Sequence, residues 1–65
     1  MLVTVNGESR DLPEGETIHA LLLRFQLPPH KVAVELNRRI LRTEKYDTPL
    51  KAGDTVEIVT FVGGG

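Results

Sequence analysis

The sequence predicts an α+β domain in which a mixed sheet of four to five strands packs on one main helix, with a flexible glycine tail behind it. Three observations carry this. β-rich runs stand at both ends of the chain, in LVTVNGE and DTVEIVTFV. Between them one stretch changes to helical period, with Ile18, Leu21, Leu22 and Phe25 on a single stripe. The last run then stops at FVGGG, where large apolar side chains give way to three residues with none.

The elements follow in order. Leu2 to Val5 reads as a strand, and Asn6-Gly7 supplies the positive φ that both central positions of a tight hairpin turn require. A second strand, roughly Glu8 to Leu12, alternates poorly, as expected of a solvated edge, and PEGET breaks it. Thr17 is the expected N-cap of a helix of about ten residues that stops before Pro28-Pro29, because a residue preceding proline is pushed out of the helical region. Lys31 to Leu36 returns to period two, with Val32, Val34 and Leu36 facing one way and Ala33 and Glu35 the other. Asn37 tolerates a left-handed turn, and RRIL forms a short strand behind it. TEKYDTPLKAGD offers only Tyr46 and Leu50 as core anchors and reads as a helical turn and loop before the last strand.

A helix between the second and third strands is long enough to cross one sheet face, which places the first and last strands side by side in the middle. That is the β-grasp arrangement. Its expected core is Val3, Val5, Ile18, Leu21, Leu22, Phe25, Val34, Leu36, Val56 and Ile58. Residues 1–62 form the domain and 63–65 the tail, without linker or repeat.

Sixty-five residues bury only about 60% of the surface exposed by the unfolded chain. With no cysteine, neither disulfides nor thiolate metal sites add stability, and the absence fits a reducing compartment. Eight basic against nine acidic side chains give no general attraction to nucleic acid or anionic lipid. No basic leader precedes a long apolar run, so a soluble, cytoplasmic protein is expected, with no membrane or nucleic-acid partner.

Catalytic patterns are missing. No glycine pattern precedes a Lys-Ser or Lys-Thr pair, the acidic residues are scattered singly, and His19 and His30 read as surface histidines rather than metal ligands. Arg38, Arg39 and Arg42, with Lys45, read as a solvated edge, with docking of an acidic partner or of phosphates as the alternative. Such a chain is not expected to be an enzyme; something else acts on it.

The tail suggests what. A frayed end, a linker or a chemically active terminus would each use Gly63, Gly64 and Gly65. In the third reading the glycines form a thin tail that threads a narrow cleft and presents a carboxylate, ionised at neutral pH because its pKa is about 3.5. That carboxylate can attack the α-phosphate of ATP. Without a cysteine, it is also the only plausible attachment point for sulfur.

VNG after a short first strand, VELNRRI in the middle, LKAGDTVEIVTFV and the final GGG together resemble the ThiS family, the ubiquitin-like sulfur carriers of thiamine biosynthesis. The resemblance covers the whole chain. It implies that Gly65 is adenylated with ATP by an E1-like adenylyltransferase and converted to a thiocarboxylate. The sulfur comes ultimately from cysteine, through a sulfur-transfer protein such as a cysteine desulfurase, and passes to thiazole synthase for thiazole phosphate formation. Gly64 completes the required pair, Gly63 is an additional glycine, and no cofactor is bound by the carrier itself. Beside the resemblance, Glu57, Val59 and Phe61 alternate outward when Val56 and Ile58 face the core. Val59, Phe61 and Val62 then form an apolar patch beside the tail, the expected partner contact unless Phe61 folds back over a core edge. The alternatives are a molybdopterin-synthase-type sulfur carrier and a non-carrier β-grasp regulatory or RNA-binding module, to which DLPEGETIHALL is similar.

Overall fold

The computed structural model describes residues 1–61; Val62 and the glycines 63–65 lie outside the described residues. Five strands, β1 (Leu2–Val5), β2 (Glu8–Asp11), β3 (Val32–Leu36), β4 (Arg39–Leu41) and β5 (Thr55–Thr60), surround the single helix α1 (Ile18–Arg24) in chain order. The sheet order is β2-β1-β5-β3-β4. β1 and β5 are parallel neighbours in the middle, and the other pairings are antiparallel. The β-grasp expectation therefore holds, with β2 on one edge and β4 on the other.

Local chemistry accounts for most element boundaries. Asn6 (φ 50°) and Gly7 (φ 83°) both take the left-handed conformation that joins β1 to β2. Thr17 caps α1 by accepting a hydrogen bond from the Ala20 amide at 3.0 Å. The helix is shorter than the prolines alone require. It ends in a Schellman motif: Gln26 is left-handed (φ 60°), its amide donates to Leu23 O at 3.0 Å, and the Leu27 amide donates to Leu22 O at 2.8 Å. Leu27 then packs against the core, which is the apolar contact this cap usually brings.

Ile18, Leu21, Leu22, Val3, Val34 and Val56 are the most deeply buried side chains. Ile58, Val5, Val32, Leu12, Tyr46 and Leu50 complete the core, whereas Phe25 and Leu36 pack against it half-buried. Leu12 joins because the chain beyond β2 turns inward, with its amide donating to Met1 O at 2.8 Å. The Met1 ammonium binds Leu12 O at 2.6 Å and Asp11 Oδ1 at 3.1 Å. Its hydrogen bond to Asp11 raises its pKa above the ordinary 8.0, outweighing desolvation, and the charges of Asp11 and Glu14 add to the rise.

One buried charge has no counterpart in the sequence reading. Glu16 is buried, and Arg24 grips its carboxylate with both Nε (3.0 Å) and Nη2 (3.1 Å). The two-point geometry satisfies a carboxylate that would otherwise be left desolvated and unpaired. The Leu50 amide donates to the Glu16 carbonyl at 2.7 Å, tying the 43–50 segment to the start of the helix. No helix among the described residues is long and apolar enough to cross a membrane.

Candidate docking face and glycine terminus

β5 delivers the chain to its glycine end, so its geometry defines the site. Its first half is held on both sides. β1 pairs through Thr4↔Thr55 and Val5↔Val56, and β3 pairs from Leu36↔Val56 to Val32↔Thr60. β1 stops at Val5, and the Asn6 side chain continues its ladder: Oδ1 accepts from the Ile58 amide at 2.7 Å and Nδ2 donates to the Ile58 carbonyl at 3.2 Å. Beyond Ile58 the strand is held by β3, and the last backbone tie among the described residues is the Phe61 amide donating to Lys31 O at 2.9 Å.

Alternation sorts the strand's side chains. Val56 and Ile58 enter the core, while Glu57, Val59 and Phe61 point to the opposite face. Val59 is 61% exposed and Phe61 58%, so Phe61 does not fold back over the core edge. On the same face Ala33 lies directly across from Val59, and Glu35 directly across from Glu57. The next strand places Ile40, 69% exposed, opposite Glu35. The outer face thus reads as rows across the sheet: Phe61 beside Lys31, then Val59 beside Ala33, then Glu57, Glu35 and Ile40.

Ile40 was not among the expected contacts. Period two carried straight from Val34 puts Ile40 on the core face with Val34 and Leu36, whereas the Asn37-Arg38 hairpin reverses the parity and pairs Ile40 with Glu35 on the outer face. What obscured it was the turn itself. Arg38 adopts φ 70° without being glycine, a conformation that usually costs about 1 kcal/mol or more. Asn37 holds the turn by donating to Asp54 Oδ1 at 3.0 Å and accepting from the Thr55 amide at 2.9 Å.

The arginine cluster does not converge. Arg39 follows the core-side register of Leu36, whereas Arg42, still extended at φ −76° and ψ 151°, continues the outer register of Ile40 and pairs with Glu44 at 3.6 Å. His19 is exposed, with Nδ1 3.3 Å from Asp47 Oδ1, and His30 is exposed in a single 3-10 turn. Among the described residues no group of three or more metal-ligating side chains comes together, and no enclosed pocket forms. The candidate site is therefore a face leading to a tail. Of the expected contact residues, the structure brings Val59 and Phe61 together there; Val62, Gly63, Gly64 and Gly65 lie outside the described residues.

A model of the ThiS family matches residues 3–65. The sulfur carrier protein ThiS of Thermus thermophilus is 42% identical over 65 residues, covering 98% of this chain and 100% of that protein. A crystal structure of the thiamine biosynthesis protein ThiS from Geobacter metallireducens superposes with a TM-score of 0.82 at 38% identity, over the full length of both chains. A thiazole synthase of Paramagnetospirillum magneticum is 39% identical over 66 residues, 100% of this chain and 20% of that protein. The chain thus spans about a fifth of the length of the thiazole synthases it matches.

Proposed function

This chain belongs to the ThiS family, and from that premise we propose that it carries sulfur for thiamine biosynthesis as a thiocarboxylate on Gly65. Residues 1–62 act as the β-grasp body that partners recognise, and residues 63–65 as the tail that enters their active sites. The observation that carries this reading is the family match, which runs from β1 through the final glycine.

The chemistry follows from the terminus. A Gly65 carboxylate oxygen attacks the α-phosphate of ATP in the cleft of an E1-like adenylyltransferase, and pyrophosphate leaves. The outer sulfur of a persulfide on a desulfurase-type protein, drawn from cysteine, then attacks the glycyl carbonyl and AMP leaves, giving an acyl disulfide. A thiol reductant cleaves that disulfide, leaving a thiocarboxylate on Gly65 and a disulfide on the donor side, and the thiocarboxylate sulfur passes to thiazole synthase. ATP is a substrate of the partner, and the carrier needs no cofactor of its own. Each division of labour has a physical reason: glycines 63–65 lack Cβ atoms and fit where a side chain would block approach, and Val59, Phe61 and Val62 form the apolar collar that docks beside the cleft. The exposure of Val59 and Phe61 at the outgoing end of β5 supports that assignment.

Intact mass after incubation with ATP, the adenylating partner and a cysteine-derived sulfur source tests the proposal, with a variant lacking Gly64 and Gly65 alongside. Replacement of one oxygen by sulfur, seen only with the native tail, is the expected result. An unchanged mass with a partner active on another carrier overturns it.

A further inference from the structure

The outer face carries an electrostatic defect that the fold itself does not need. Glu35 and Glu57 are directly opposed in adjacent antiparallel strands. Phe61 donates to Lys31 O and Asn37 donates to Thr55 O, so the odd-numbered positions of β3 and β5 are the hydrogen-bonded pairs, with Cα atoms about 5.5 Å apart. Like charges facing each other at this distance destabilise a sheet. Among the described residues neither carboxylate makes an ion pair, although the chain forms pairs elsewhere through Arg10, Arg24 and Arg42. Two carboxylates side by side on an open sheet face, bordered by exposed Val59 on one side and Ile40 on the other, have the shape of half an interface.

We infer that Glu35 and Glu57 together receive one cationic side chain, best an arginine whose planar fork spans both carboxylates, presented by the thiazole synthase that takes the sulfur. The occupant follows from the relatives. In two proteins named thiazole synthase, a segment aligning with all of this chain makes up 20% of the polypeptide. A domain of this kind is there tethered to the remaining four-fifths, which holds the two at high effective concentration. Guanidinium suits the slot because it is weakly hydrated and donates in parallel to paired oxygens. The apolar border excludes water around the contact and strengthens it. This inference rests on the carrier reading above and specifies the partner chemistry of its docking face.

Glu35→Gln with Glu57→Gln in one chain is the test, since it removes both charges and keeps shape. Removing the repulsion raises Tm of the isolated carrier by about 2–4 °C. The same change weakens binding to purified thiazole synthase about fivefold at low salt, and the difference shrinks at about 0.5 M salt. A stability gain joined to an affinity loss is what a merely solvated pair does not produce. Equal affinity of native and variant chains, with equal salt dependence, overturns the inference. So does a loss confined to the adenylation reaction, which would assign the slot to the other partner, or self-association of the native chain that the variant lacks, which would assign it to a second copy. If the native chain binds neither protein, it is the carrier reading that fails instead.

Discussion

The two faces of β5 are built from one strand by one rule of alternation, yet they serve opposite ends. Its inward residues, Val56 and Ile58, are buried in one core with Ile18, Leu21 and Leu22 of α1; its outward residues, Glu57, Val59 and Phe61, have only neighbours on the same sheet face and stay exposed. Val59 and Phe61 are as apolar as Val56 and Ile58, so hydrophobicity alone does not distinguish a core residue from a docking residue. What distinguishes them is whether the topology supplies a second layer. α1 covers one face, and among the described residues nothing covers the other.

The comparison is broken most severely from the inside. Ile58→Ala should destabilise the domain by about 3 kcal/mol, a large share of what a chain this size possesses. Urea unfolding checks this, and a loss as small as that of an outward variant would mean the inner face is not the structural one. Asn6→Ala comes next, at about 2 kcal/mol, because it removes both hydrogen bonds to the Ile58 backbone and places a non-glycine, non-asparagine residue at φ 50°. Asn6→Asp, which keeps the acceptor and loses the donor, should recover part of that loss.

Outward changes sharpen the contrast by moving function and leaving stability alone. Phe61→Ala should shift unfolding free energy by no more than about 0.5 kcal/mol while weakening the adenylating partner's hold roughly tenfold. Parallel melts and titrations decide it: coupled losses would return Phe61 to the core. The smallest effect concerns the β2 edge of the sheet, where the Met1 ammonium is tied to Asp11 and Leu12. Folding raises the pKa of the Met1 ammonium, so its contribution is whole below its ordinary value of 8.0 and is lost as pH climbs through the raised value. Tm should therefore fall as pH rises from neutral into the alkaline range, with the same slope in Phe61→Ala, and a flat profile would show that the tie to Asp11 and Leu12 adds nothing.

Much of this is legible in the sequence alone. The Asn6-Gly7 turn, the Thr17 cap, the stripe of Ile18, Leu21 and Leu22 and the outward set Glu57, Val59 and Phe61 each depend on residues within a few positions of one another. A local conformational preference suffices for them.

The tertiary structure decided what depends on distant segments meeting. The helix ended early because Gln26 accepted a left-handed conformation that let Leu27 reach the core. Glu16 could be buried because α1 carried Arg24 back to it across two turns. Asn6 became part of the sheet through a bond to a residue 52 positions away. Glu35 came to face Glu57, and Ile40 to stand beside them, only when the register of three strands was set. Alternation tells which face a side chain takes, but which neighbour it meets there is fixed by how the strands slide until their inward residues fill the space under the helix.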